Sequence, residues 1–132
     1  MQSCPSMATI PNTKVLGRLQ NVHYRCIADG SKTVEIRLND SKRREIKAGD
    51  KVRLLPMGDA VTYLEVGIES IYSYPTFAAA LESQGYYNAL PLCSNLTEAI
   101  NTYLAFDSYR TQEAENGVLA FVLGNAVEFG LD

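Results

Sequence analysis

The segment GSKTVEIRL, residues 30–38, decides how this chain folds, because two periodicities meet in it. From Lys32 onward polar and apolar side chains alternate strictly, which predicts a β-strand with one buried face. The apolar face carries Val34, Ile36 and Leu38. The polar face carries Thr33, Glu35 and Arg37. Because Lys32 is the first residue of the strand, we expect its side chain to swing to the rim of the sheet.

The residues before this strand predict an α-helix over residues 19–29. Its buried stripe is spaced i, i+3, i+4, i+7 and i+8 and consists of Leu19, Val22, His23, Cys26 and Ile27. Gly30 follows, where glycine commonly adopts the left-handed conformation that ends a helix. We interpret His23 as a structural residue, since a lone histidine on such a stripe more often packs in a core than performs catalysis.

The rest of the chain predicts further strands at residues 14–19, 51–55 and 60–74, and a closing strand that begins at Val118. Gly67 marks a bend or bulge in the long strand. Helices are predicted over residues 75–83 and 95–104, the second with Asn95 and Glu98 as a capping box. The polar segments 39–45, 85–94 and 107–117 are predicted as loops. Since strands joined by short turns pair antiparallel, the fold class is α+β, with a small barrel-like sheet and flanking helices.

Length and composition are typical of one soluble domain: 132 residues, 46% of them apolar and 20% charged. We expect a leader over residues 1–13, a domain over residues 14–123 and a tail over residues 124–132. The leader lacks the pattern of a signal peptide, and no apolar run is long enough to span a membrane. The three cysteines are widely spaced, which fits a reducing cytoplasm. A single histidine excludes a multi-histidine metal site, and no cofactor is expected.

Charge is divided sharply along the chain. Residues 1–53 hold eleven bases and five acids, a net charge of +6, whereas residues 54–132 hold one base and ten acids, a net charge of −9. This division predicts a basic surface suited to an anionic partner, unless the fold mixes the two signs. The candidates for nucleic-acid phosphate contact are Lys42, Arg43 and Arg44. The alternative is a solubilising hairpin loop.

The polar face of the 32–38 strand also has two interpretations. Lys32, Thr33, Glu35 and Arg37 could line a cleft in which the bases hold a phosphate or carboxylate and Glu35 accepts from a ligand. Alternatively the face is solvated and Glu35 pairs with Arg37, a contact worth at most about 1 kcal/mol. Spacing alone leaves both open. Tyr72, Tyr74, Tyr86 and Tyr87 are candidates for base stacking or for packing of a loop.

The chain resembles the ASCH domain family (activating signal cointegrator homology). The motif G-x-K-x-x-E-x-R is matched by Gly30, Lys32, Glu35 and Arg37, and similar segments include SIYSYPTFAAAL and ENGVLAFVL. The resemblance covers roughly residues 14–123. It implies a PUA-like β-barrel and a cleft at the motif that binds RNA or a nucleotide-like ligand.

One branch of that family resembles an amidohydrolase that deacetylates acetylcytidine with a lysine, a threonine and a glutamate. Here the lysine is Lys32, whereas Glu35 stands at the threonine position and Ser94 near the glutamate position. If this chain is an enzyme, Lys32 and Glu35 are its catalytic candidates. A third alternative is a protein-interaction module with a basic face. The sequence predicts neither the oligomeric state nor the ligand.

Overall fold

The computed structural model describes residues 13–58 and 61–130. The strands are β1 (Lys14–Leu19), β2 (Val34–Leu38), β3 (Lys51–Pro56), β4 (Thr62–Tyr74) and β5 (Val118–Gly130). The helices are α1 (Asn21–Asp29), α2 (Ser41–Arg44), α3 (Phe77–Gln84), α4 (Tyr86–Ala89), α5 (Leu96–Leu104) and α6 (Tyr109–Asn116). Among these residues no helix has the length and hydropathy needed to cross a membrane.

The five strands form one sheet in the order β1-β3-β4-β5-β2, in which only β1 and β3 run parallel. The long strands β4 and β5 pair along most of their length, and the register shifts next to Gly67 as the sequence predicts. A strand that gains a residue at a bulge bends, which lets the sheet curl.

Side chains, not a backbone ladder, join the two edges of the curled sheet. Arg37 on β2 donates from Nη2 to the carbonyl of Arg18 on β1 at 2.8 Å. Arg43 on α2 donates from Nε to the carbonyl of Leu16 at 3.1 Å. The result is a half-barrel whose seam lies between β1 and β2.

Two hydrophobic cores lie on opposite faces of β5. Phe121 and Leu119 belong to the core that also holds α1, whereas Val118 and Ala120 belong to the core under α3 and α5. In the β2–β5 register Glu35 is opposite Phe121 and Arg37 is opposite Leu119. Because paired residues of an antiparallel ladder point to the same face, Glu35 and Arg37 point into the half-barrel.

The α+β class with a curled sheet and flanking helices is confirmed. The helix predicted before the motif is α1, and Gly30 ends it in the left-handed conformation with φ 89°. Thr76 and Asn95 cap α3 and α5 with their side chains. The Asn95 side chain accepts from the Glu98 N–H, as in a capping box, but Glu98 returns its bond to the Ser94 N–H.

Three segments predicted as loops are helices. The short helices α2 and α4 have four residues each, too few to show an apolar period. Helix α6 has no buried residue. It is held instead by Glu113, which accepts from the Phe77 N–H at 3.0 Å, and by the Tyr109 ring, which stacks on the Phe77 ring at 5.6 Å.

The structure describes most of the predicted tail but almost none of the predicted leader. Residues 124–130 of the predicted tail are strand, because β5 continues to Gly130 and pairs there with Thr62 of β4. Most side chains of this stretch are exposed, and apolar residues are less frequent in it than in residues 118–123. The sequence therefore did not indicate that the strand continues. Residues 1–12, 59–60 and 131–132 lie outside the described residues, so the predicted leader stays a prediction for residues 1–12.

Gly117 joins α6 to β5 in a conformation that a side chain resists. Its φ is 75° and ψ is −167°, a region occupied almost only by glycine, and an added Cβ would lie 2.7 Å from the Tyr74 carbonyl oxygen. We expect Gly117→Ala to lower the free energy of unfolding by about 2 kcal/mol or more. Urea denaturation measures this loss.

Gly130→Ala is the matched control for that substitution. An added Cβ at Gly130 meets no atom within 4 Å, and its φ lies outside the left-handed region. The control should change the free energy of unfolding by less than about 0.5 kcal/mol. Equal stability of the two variants would contradict a strained junction at Gly117.

Candidate functional site

A line of three charged side chains runs through the half-barrel at the motif. Lys32 Nζ lies 3.0 Å from Glu35 Oε1, and Arg37 Nε lies 2.6 Å from Glu35 Oε2. Lys32 and Glu35 are 2% and 3% exposed and are the buried charged residues among those described. The ion pair between Glu35 and Arg37 is confirmed, but it is not on a solvated face.

Lys32 is fully engaged by the protein. Its ammonium donates to the carbonyls of Val34 and Ala89 and lies against the Glu35 carboxylate, so each of its three hydrogens has an acceptor. The backbone N–H of Lys32 donates to the Cys26 carbonyl at the end of α1. The side chain therefore turns inward rather than to the rim. Lys32 ties β2 to α4 and fixes the Glu35 carboxylate.

Arg37 keeps donors for a ligand. A guanidinium has five N–H groups, and Arg37 uses one on Glu35 and one on the Arg18 carbonyl. Gly17 makes this position accessible, since a Cβ there would lie 2.7–2.8 Å from the guanidinium atoms. The β1–β3 register also shifts between Val15 and Gly17, which curves the strand around the guanidinium. Three N–H groups of Arg37 thus have no hydrogen-bond partner among the described residues.

Glu35 is ionised despite its burial. Burial by itself would raise its pKa, but the positive charges of Lys32 and Arg37 and their hydrogen bonds outweigh that effect and lower the pKa to about 2. Each carboxylate oxygen takes one of these bonds, and a carboxylate offers about four lone-pair sites. Glu35 can therefore accept a further hydrogen bond, but it does not exchange protons near pH 7.

The charged line forms part of the wall of a cavity of about 460 Å³. This volume is within the range of pockets that hold small organic ligands. The motif contributes Lys32, Glu35 and Arg37 to the lining. The start of α1 and the strand before it contribute Arg18, Gln20 and His23. The opposite wall consists of side chains from α5 and the following residues, among them Thr102, Tyr103, Phe106 and Tyr109.

The other predicted ligand contacts lie elsewhere. Thr33 is exposed and is not part of the cavity lining, and its backbone N–H donates to the Asn88 carbonyl. Lys42 and Arg44 are exposed on α2, outside the cavity. Arg43 is half-buried and pairs with Asp40 at 3.0 Å while it bonds the Leu16 carbonyl. The motif strand and the basic helix are thus separate features.

The aromatic wall was missed by the sequence interpretation. The rings of Phe106, Tyr109, Phe77 and Tyr103 form a continuous series with centroid separations of 5.0, 5.6 and 4.6 Å, in which the first pair is tilted by 31° and the other two are stacked. Phe106, at one end of this series, lines the cavity and is 47% exposed. Tyr103 belongs to the apolar stripe of α5, so the sequence indicated that its ring is buried. No periodic pattern in α6 indicated the position of Tyr109.

The tyrosines selected from the sequence are not in the cavity. Tyr74 accepts from Gln84 and donates to Ser83, and the Tyr86 ring meets the Tyr87 ring edge to face. Tyr72 and Tyr87 are 48% and 60% exposed but line no cavity described here. Packing of the loop accounts for Tyr74 and Tyr86.

His23 lies in the cavity wall rather than in either hydrophobic core. Its Nδ1 is buried without a hydrogen-bond partner among the described residues. Burial and the positive charge of Lys32 lower the pKa of His23, with Glu35 opposing them, so the ring is neutral near pH 7. Burial, followed by the charge of Glu35, raises the pKa of Tyr103 well above its usual range, which keeps its hydroxyl protonated. These neutral groups add hydrogen-bonding capacity beside the charged line.

Comparisons with known proteins agree with the observed fold. The model of the ASCH domain family matches residues 19–125. A search of curated proteins finds no significant match. The crystal structure of hypothetical protein PH0355 has a TM-score of 0.71 and 31% sequence identity, and the match covers 84% of this chain and 96% of that one.

Two further solved structures share the fold. The solution structure of protein PF0455 from Pyrococcus furiosus has a TM-score of 0.63 and 33% identity, over 81% of this chain and 92% of that one. A crystal structure of a variant of ZmASCH from Zymomonas mobilis has a TM-score of 0.52 and 17% identity, over 81% of this chain and 64% of that one. The last similarity concerns the fold alone.

Removal of Lys32 should destabilise the protein strongly, because a buried charged network would lose one member. We expect Lys32→Met to lower the free energy of unfolding by about 3–5 kcal/mol. Lys14→Met is the matched control, because Lys14 and Asp50 also lie 3.0 Å apart but are 40% and 30% exposed. That control should cost at most about 1 kcal/mol in urea denaturation. Similar small losses for both variants would contradict the structural role of Lys32.

Stability should also depend on the ionisation of Glu35. Its pKa in the folded chain is about 2, against a usual value of 4.5, so its contribution is complete above pH 4.5 and is lost as the pH falls toward 2. The shift corresponds to about 3 kcal/mol. Between pH 5 and pH 2 the free energy of unfolding should therefore fall by about that much more in the wild type than in Glu35→Gln. Parallel pH curves for the two proteins would disprove this assignment.

Proposed function

Since this chain belongs to the ASCH domain family and has its PUA-like fold, we propose that it binds single-stranded RNA by taking one unpaired base into the cavity at the motif. The observation that carries this proposal is the pairing of free hydrogen-bonding groups with an aromatic wall. Glu35 has capacity for a further hydrogen bond and Arg37 has further N–H donors, and the 2.6 Å bond from Arg37 Nε to Glu35 Oε2 holds the two side chains next to each other. A base edge also presents donors and acceptors next to each other.

The aromatic stack supports a planar ligand. Phe106 has an exposed ring next to Tyr109 at the cavity, so a base can continue the series of rings. Stacking of a base on an aromatic side chain contributes about 1–3 kcal/mol and tolerates any base. The hydrogen-bonding groups of the charged line then select among bases. The cavity volume of about 460 Å³ suits one nucleoside rather than a folded oligonucleotide.

The basic helix α2 supports contact with the phosphate backbone. Lys42 and Arg44 are exposed and form no ion pair among the described residues. Such cations neutralise phosphates and release counterions, which makes binding dependent on salt. Arg43 contributes less in this proposal, because Asp40 already neutralises its charge and its Nε holds the seam.

Hydrolysis of an acylated nucleobase is less supported by the same geometry. Lys32 has no free hydrogen with which to polarise a substrate, and the pKa of Glu35, lowered to about 2, prevents proton exchange near neutral pH. Both groups have the roles of positioning and recognition instead. For this reason binding is the function proposed here.

Two contributions to RNA binding should be separable by mutation. Phe106→Ala should weaken binding of a fluorescent single-stranded RNA about 5- to 150-fold, because stacking is lost, and should leave the salt dependence unchanged. The double variant Lys42→Ala/Arg44→Ala should reduce the slope of log affinity against log salt by about 1.4, since each lost phosphate contact contributes about 0.7. Fluorescence anisotropy at several salt concentrations measures both quantities.

Tyr72→Ala serves as the control for the aromatic variant, because Tyr72 is equally exposed but lies outside the cavity. It should bind RNA like the wild type. Absence of RNA binding by the wild type, or equal losses for Phe106→Ala and Tyr72→Ala, would refute the proposed function.

A further inference from the structure

A second depression lies on the other side of α1 and has a volume of about 280 Å³. We call it the α1 groove; its lining includes Asn21, Tyr24, Arg25, Pro56, Met57 and Val61. Met57 lines both the groove and the cavity at the motif, so the two depressions are neighbours. Helix α1 separates them, with Gln20 and His23 toward the cavity and Asn21 and Arg25 toward the groove.

The boundary between the two depressions is positively charged. Arg18 lines the cavity, and its Nη1 donates at 3.4 Å to the carbonyl of Pro56, which lines the groove. Arg25 is exposed within the groove. Neither arginine forms an ion pair among residues 13–58 and 61–130. Two guanidinium groups that form no ion pair within those described ranges therefore flank the start of α1, which suits a phosphate that passes from one depression to the other.

The groove also exposes apolar surface that the fold does not use. Met57 and Val61 are 53% and 71% exposed, among the most exposed large apolar side chains described. Together with Pro56 they contribute apolar surface to the groove, whose lining also includes the polar Asn21 and Arg25. A nucleotide has the same division, with an apolar base face and a charged phosphate.

We propose that the α1 groove binds the second nucleotide of a single-stranded RNA whose first base occupies the cavity. This inference rests on the proposed function and extends it from one nucleoside to a dinucleotide unit. Arg18 and Arg25 hold the phosphate that connects the two nucleotides. Met57, Pro56 and Val61 contact the second base.

The test compares the four ribonucleosides with the four corresponding homodinucleotides by isothermal titration calorimetry at constant salt. The dinucleotide of the preferred base should bind at least about tenfold more tightly than its nucleoside, because one further base is bound. Arg25→Ala should remove most of this gain and leave the dissociation constant of the nucleoside unchanged. Lys51→Ala, an exposed base on β3 that lines neither depression, should change neither value.

The possible failures are distinguishable. If nucleosides bind but dinucleotides bind no more tightly, the second subsite is refuted and the proposed function stands. A gain that Arg25→Ala leaves intact also refutes the α1 groove as its source. If neither nucleosides nor dinucleotides bind, both the subsite and the function of the cavity are refuted.

Discussion

The structure depends on one buried carboxylate held between two cations. Glu35 would be costly to bury alone, and Lys32 and Arg37 make its burial tolerable only because both are fixed in place. Lys32 is fixed by the carbonyls of Val34 and Ala89, which connects the motif strand to α4. Arg37 is fixed by the Arg18 carbonyl, which connects the same strand to β1. The charged line of Lys32, Glu35 and Arg37 therefore joins the helical side of the domain to the seam of the half-barrel.

This arrangement divides the motif between structure and recognition. Lys32 has no donor left for a ligand, so its charge acts through Glu35, whereas Arg37 retains three N–H groups at the cavity wall. A motif of regular spacing can thus contain residues of different accessibility. Counting the free donors and acceptors of each side chain shows which residue can contact a ligand and which one positions another residue. The spacing of residues 30–38 alone does not give this information.

The sequence predicted what local periodicity determines. The strand predicted within residues 32–38, the helix that ends at Gly30 and the cap at Asn95 depend on neighbours in the chain, and all are present, with the strand beginning at Val34. The inward orientation of Glu35 was not predictable in this way, because it follows from the register with Phe121, some 86 positions away. Tyr109 was missed for a similar reason, because α6 has no apolar stripe that would place it. His23 was interpreted as structural, because its electrostatic interaction with Lys32 and Glu35 depends on the fold.

The seam between β1 and β2 has a consequence for motion. A backbone ladder opens only when several hydrogen bonds break together, but this seam is crossed by single bonds from Arg37 and Arg43 to carbonyls of β1. The same guanidinium that closes the barrel also borders the cavity. Widening of the seam would therefore also displace the donors of Arg37 that face the cavity.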